Sequence, residues 1–174
     1  DWYEDTDGTV SVFLNHGDGT FAAKQDYTVG RRPSSLTLGD VDGDGDLDAL
    51  STNYGDYDIS VLLNHGDGTF ATKVDYVTGR RPNSVILSDV DRDGDLDALS
   101  ANALDDNISV LLNHGDGTFA AKVDYATGNS PKSITLGDVD GDGDLDALSD
   151  GSVIYVLSGN GDGTFVAKPD YVTG

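Results

Sequence analysis

Three short stretches of this chain place a carboxylate at every second position. They are Asp40, Asp42, Asp44, Asp46 and Asp48; Asp89, Asp91, Asp93, Asp95 and Asp97; and Asp138, Asp140, Asp142, Asp144 and Asp146. Each reads D-x-D-x-D-G-D-L-D. Carboxylates at alternate positions of a tight loop can converge on one hard cation, and Ca²⁺ takes roughly 6–8 oxygens. The glycine after the third aspartate (Gly45, Gly94, Gly143) permits the left-handed turn that wraps the chain around an ion. On this reading the side-chain ligands are Asp40, Asp42, Asp44 and Asp48 and their equivalents. Asp46, Asp95 and Asp144 sit at the seventh position, where a backbone carbonyl is the usual donor. An EF-hand is excluded, because no glutamate stands at the twelfth position and no helix flanks the loop. Mg²⁺ fits less well, since it keeps its waters. The plain alternative is a solvated acidic turn. Four carboxylates in one loop repel without a cation, and three copies at fixed spacing argue against coincidence.

The loops recur every 49 residues, and a second motif keeps the same beat. Asn-His-Gly-Asp-Gly-Thr-Phe occupies residues 15–21, 64–70 and 113–119, with a variant at 160–165. His16, His65 and His114 are the only histidines and hold equivalent places, so they read as turn residues rather than catalytic or zinc-binding ones. Asp18, Asp67, Asp116 and Asp162 read as turn residues too, a second and weaker Ca²⁺ site being the alternative.

Each repeat must position its loop on strands, because no helical period runs through it. In the first complete repeat the expected strands are 35–39, 47–52, 59–64 and 70–78, separated by Gly/Asp/Asn clusters. Four strands in a repeat of this length match a propeller blade. Neighbouring blades cover both faces of a blade, which accounts for the two-sided apolar run Ile-Ser-Val-Leu-Leu. The expected fold is all-β, with β-propeller-type blades of four antiparallel strands and about three and a half blades. The chain divides as a single repeat domain, 1–174: a partial blade at 1–34, blades at 35–83 and 84–132, and a terminal blade at 133–174. In the partial blade, 10–14 and 21–29 match the third and fourth strands, and 2–4 falls where a second strand belongs. That count is small for a closed ring and leaves a strand edge open. The chain is therefore expected to form a homo-oligomer or to be part of a longer protein.

Composition excludes several functions. The net charge is −22, and 31 of the 32 acidic residues are aspartate. Nucleic acid needs a basic patch, so it is not an expected partner. No apolar run is long enough for a membrane span, and no signal-peptide core leads the chain. There is no cysteine, hence no disulfide and no thiolate chemistry. The absence of methionine at the start suggests a processed or excised piece. The acidity suits a salty or calcium-rich medium.

The run Leu38-Gly-Asp-Val-Asp-Gly-Asp-Gly-Asp-Leu-Asp-Ala-Leu50, followed by Ile59-Ser-Val-Leu-Leu-Asn-His-Gly-Asp-Gly-Thr-Phe70, resembles FG-GAP/VCBS repeats, known from the propeller of integrin α-chains and from bacterial surface proteins. The likeness covers nearly the whole chain, although Ala49-Leu-Ser51 replaces the name-giving Gly-Ala-Pro. It implies four-stranded blades with Ca²⁺ in the loop between the first two strands. It also implies an extracellular or cell-surface setting, in a secreted bacterial protein, and a role in adhesion or ligand binding.

Strand alternation puts the Asp loops and the Asn-His-Gly-Asp-Gly turns on one face. The opposite face carries the variable loops 53–58 and 102–107 together with Arg31, Arg32, Arg80 and Arg81. A protein or glycan ligand is expected there. Tyr54 and Tyr57 could stack on sugars and the arginines could take carboxylate or sulfate; in the plainer reading the arginines only offset nearby aspartates. A structural repeat with no dedicated ligand is the alternative function. An enzyme is not expected, because the metal reading uses every Asp cluster.

Overall fold

A computed structural model of the chain describes residues 6–167, and these contain strands and no helix. The strands are β1 (Asp7–Val12), β2 (Gln25–Arg31), β3 (Pro33–Gly39), β4 (Asp48–Asn53), β5 (Asp58–Leu62), β6 (Val74–Val77), β7 (Pro82–Ser88), β8 (Asp97–Asn102), β9 (Asn107–Leu111), β10 (Val123–Ala126), β11 (Ser133–Gly137), β12 (Asp146–Asp150), β13 (Tyr155–Gly159) and β14 (Phe165–Ala167). They form a β1–β2 hairpin and three antiparallel four-stranded meanders, β3 to β6, β7 to β10 and β11 to β14. Residues 2–4, expected in place of a strand, lie outside the described residues.

The middle strands carry the core. Every residue of β4 and of β8 is buried, because these two middle strands have neighbouring units against both faces. One core cluster joins Val41, Leu50, Ile59 and Val61 of one blade to Val85, Ala98, Leu111 and Phe119 of the next. A second repeats the pattern one blade on, from Val90, Leu99, Ile108 and Val110 to Ile134, Ala147, Leu157 and Phe165. Polar side chains inside the middle strands bond to one another. Asn53 Nδ2 donates to Asp58 Oδ1 at 2.7 Å and to Ser60 Oγ at 2.8 Å, and Ser60 Oγ donates to Asp75 at 2.7 Å.

The fourth strand is shorter than the expected 70–78. Phe70 is held only by an isolated bridge to Asn64, and the strand proper is β6. Phe70 also makes a contact across blades. Phe70 meets Tyr27 of the preceding unit edge to face, with ring centroids 5.3 Å apart. Tyr76 with Phe119 and Tyr125 with Phe165 repeat the arrangement at 5.3 and 5.5 Å. Such pairs contribute roughly 0.5–1.5 kcal/mol beyond burial, so each blade is stitched to the preceding unit by the Phe that ends its turn.

The inner strands converge, with β3 beside β7 and β7 beside β11. Gly39 ends β3 where the next blade comes closest. A Cβ there would lie 2.7 Å from Leu87 Cδ1 and 2.9 Å from Leu96 Cδ1, whereas the equivalent Gly137 faces open space. Overpacking of this kind costs about 1–3 kcal/mol. Gly39→Ala is therefore expected to lower stability by about that amount in urea melts, and Gly137→Ala to stay within about 0.5 kcal/mol of the parent.

Candidate metal centres

Each Asp loop links the first strand of a blade to the second. The first aspartate folds the loop by accepting backbone N–H groups: Asp40 Oδ1 from Gly43 at 2.8 Å and Oδ2 from Gly45 at 2.9 Å. Asp89 does the same for Arg92 and Gly94, and Asp138 for Gly141 and Gly143. The last aspartate opens the second strand and is fully buried in all three repeats. Both of its oxygens are engaged. Asp48 accepts from Val41 at 2.9 Å and from Asn64 at 2.7 Å, and Asp97 accepts from Val90 at 2.9 Å and from Asn113 at 2.8 Å. Asp146 accepts from Val139 at 2.9 Å and from Gly159 at 3.1 Å. This carboxylate thus ties the loop to its own strand and to the third strand of the blade. Nothing in the D-x-D spacing marks that second link, which needs the strands to be paired.

The result is three triads, Asp40–Asp42–Asp48, Asp89–Asp91–Asp97 and Asp138–Asp140–Asp146. Within each, one carboxylate oxygen per residue lies within 4.8 Å of the others. Asp44, Asp93 and Asp142 fall outside the triads. Each instead accepts the N–H two residues on, Asp44 from Asp46 at 2.9 Å. Asp46, Asp95 and Asp144 are also outside. They lie against the turn glycines Gly66, Gly115 and Gly161, where a Cβ would come within 2.5 Å of a carboxylate oxygen and where φ is positive. The Asp loops and the Asn-His-Gly-Asp-Gly turns therefore do share one face. Gly117 N–H donates to Val41 O at 2.9 Å and Gly163 N–H to Val90 O at 3.2 Å, joining each turn to the Asp loop of the preceding blade.

The electrostatics suit a cation. Burial pushes the Asp42 carboxyl up, with Asp48, Asp44 and Asp40 adding to the rise against a backbone bond from Asp44 that lowers it. Burial also raises Asp91, and it pushes Asp97 up to about 6 despite two backbone N–H donors. Among the described residues no basic side chain pairs with the first two triads. A divalent ion would reverse the penalty by favouring the charged forms. An all-oxygen donor set of this kind fits a hard cation.

One basic group does reach the loops. Arg92 stands where the other repeats have glycine and keeps the left-handed backbone, φ 66°. Its guanidinium donates to Gly143 O at 2.6 Å and pairs with Asp144, bridging the second and third loops. The three histidines are exposed turn residues. Asp67 accepts both N–H and Oγ1–H of Thr69, at 2.9 and 2.6 Å, and Asp18, Asp116 and Asp162 repeat this. Those bonds pull each carboxyl below the usual range. None of the four joins a metal-holding group among the described residues.

On the opposite face the arginines divide in two. The first of each pair binds an aspartate of the adjacent loop: Arg31 with Asp56, and Arg80 with Asp105 at 2.7 Å. The second of each pair flanks one ring. Arg32 and Arg81 lie with Cζ 4.7 and 5.5 Å from the Tyr54 centroid. The Arg80 backbone N–H holds the Asp105 carboxyl low, and its side chain adds to this against burial. A lowered carboxyl contributes stability above its unfolded pKa and loses it as pH falls through the folded value. Asp105→Asn should therefore lower the melting temperature at pH 7, and the gap to the parent should close in thermal melts taken below pH 3.

Repeated four-stranded antiparallel blades, each with an acidic loop between its first two strands, define a β-propeller-type blade-repeat protein. The family of FG-GAP-like repeats matches residues 2–51, 40–100 and 89–149, and the chain belongs to that family. No curated protein matches it. Among solved structures it is similar to a mutant form of the Photorhabdus luminescens Tc holotoxin pore, at 18% identity and a TM-score of 0.39. That match covers 95% of this chain and 11% of the toxin chain.

Proposed function

We propose that the chain is a calcium-binding blade module that engages a protein or glycan ligand at an extracellular surface, in adhesion. The observation that carries this reading is the set of three Asp triads, each anchored by a buried carboxylate. Asp40, Asp42 and Asp48 and their equivalents would hold the ions, with Asp44 and the Asp46 carbonyl close enough in sequence to complete a shell. Bound Ca²⁺ would supply structural cross-linking rather than catalysis. The Asp clusters are then all used by metal, and a binding module rather than an enzyme follows. The ligand belongs on the face away from the metal loops, where the Tyr54 ring with two guanidinium groups close to it suits an acidic sugar or a carboxylate-bearing peptide.

Isothermal titration tests the first part. Three Ca²⁺ per chain are expected, with Mg²⁺ competing weakly; absence of binding heat at millimolar Ca²⁺ overturns the reading. A glycan array probed in Ca²⁺ with the parent and with Tyr54→Ala tests the second. A purely structural repeat is the other reading, favoured by the near-identical aromatic stitches between blades. Intact Ca²⁺ binding with silence on the array and on protein ligands supports it.

A further inference from the structure

The inner half of the first blade's leading face is uncovered. Leu36 of β3 is 51% exposed, whereas its equivalents Val85 and Ile134 are 3% and 6% exposed. Leu38 and Leu47 are likewise exposed, while Leu87, Leu96 and Leu136 pack into the inter-blade cores. The outer half of the same face is covered by the β1–β2 hairpin, through Val29 and Tyr27. Between hairpin and blade runs a groove of about 320 Å³, with Thr9, Val10 and Ser11 of β1 on one wall and Ser34, Ser35 and Leu36 of β3 on the other. β1 pairs only with β2 among the described residues, so its other edge faces the groove. A hydrogen-bond partner is missing too. Gly117 and Gly163 each donate to a valine carbonyl of the preceding Asp loop, but the equivalent Gly68 N–H has no such acceptor among the described residues.

We infer that this groove is a docking site for one β-hairpin with the chemistry of residues 33–53 of this chain. Its second strand would pair with the β1 edge, its first strand would cover Leu36 and Leu38, and its acidic loop would present a valine carbonyl to Gly68 N–H. The argument is continuity with the interfaces already built in the molecule. One blade on, β5 carries β4 on its edge, and β4 and β3 pack against β7. β1 stands where β5 stands and β3 where β7 stands, and among the described residues only the counterparts of β3 and β4 are lacking. A whole second copy fits poorly. Its terminal blade would bring four strands to a face whose outer half β1 and β2 already occupy.

The test uses the full chain in millimolar Ca²⁺ with two forms of the probe: a synthetic peptide of residues 33–53, and the same segment fused ahead of the chain through a flexible linker. The fusion raises effective concentration, so it remains informative even if the free peptide is unfolded. The expected results are a melting temperature at least about 5 °C higher for the fusion than for a scrambled-segment fusion, and 1:1 saturable binding of the peptide. Leu36→Asp should abolish both effects, and because Leu36 is exposed that variant should keep the parent's circular dichroism. No gain from the fusion, or a gain that Leu36→Asp leaves intact, overturns the proposal. So does concentration-dependent dimerisation that Leu36→Asp removes, which would make a second copy the occupant.

Discussion

Asp97→Ala is expected to be the most damaging substitution in the loops, lowering stability by about 4 kcal/mol in Ca²⁺. Two losses add. The Val90 and Asn113 N–H groups lose their acceptor in a buried place, and each orphaned donor costs roughly 1–3 kcal/mol. The second triad also loses its anchoring carboxylate. For a chain of this size each kcal/mol moves the midpoint by roughly 2–4 °C, so calorimetry should record a drop of about 8–16 °C. Asp93→Ala is the control. Asp93 stands outside the triad and accepts the exposed loop N–H of Asp95, so even with one shell ligand lost its substitution should cost clearly less than that of Asp97, about 1 kcal/mol for the loop bond itself. Equal effects from the two changes would sink the distinction between an anchoring and a peripheral aspartate.

Replacing Ca²⁺ by chelator is expected to have a larger effect still. An ion bound only by the folded chain stabilises it by about 2.7 kcal/mol per site at a hundredfold excess over Kd. Three such sites amount to about 8 kcal/mol, comparable to the whole stability of an ordinary domain. With no disulfide to hold the loops, and with carboxylates drawn together in each triad, the metal-free chain should melt at least about 15 °C lower, or fail to show a cooperative transition. Restoring Ca²⁺ should restore the transition, while an equal concentration of Na⁺ should not. Coincident melting curves in Ca²⁺ and chelator would remove the metal from the account of stability.

Much of the candidate site was legible because its signal is local. Alternate aspartates with a glycine after the third describe a loop by themselves, and three copies at a 49-residue beat described the blade as well. The division of labour among those aspartates was not legible. Asp44 and Asp48 are the same residue type in the same loop, yet one bonds to its neighbour's N–H and the other is buried between strands. Burial depends on strand pairing within the blade, since Asp146 is as buried as Asp48 and Asp97. The arginine pairs are a similar case. The ion pairs of Arg31 and Arg80 match the expectation that the arginines offset aspartates, but only placement in space shows that Arg32 and Arg81 both lie over Tyr54.

By itself, then, the sequence determined the all-β class, the repeat length, the family and the position of the acidic loops. Each of these follows from residue type and spacing over fewer than ten residues, or from counting copies. The tertiary structure decided which carboxylates converge, which Phe and Tyr stitch one blade to the next, and which valines and leucines are left without cover. Val41 is 1% exposed and Val139 is 54% exposed within the same local motif, because a following blade packs on the first and none among the described residues packs on the second. Contacts of that kind join residues about one repeat apart, and they exist only once the blades have stacked.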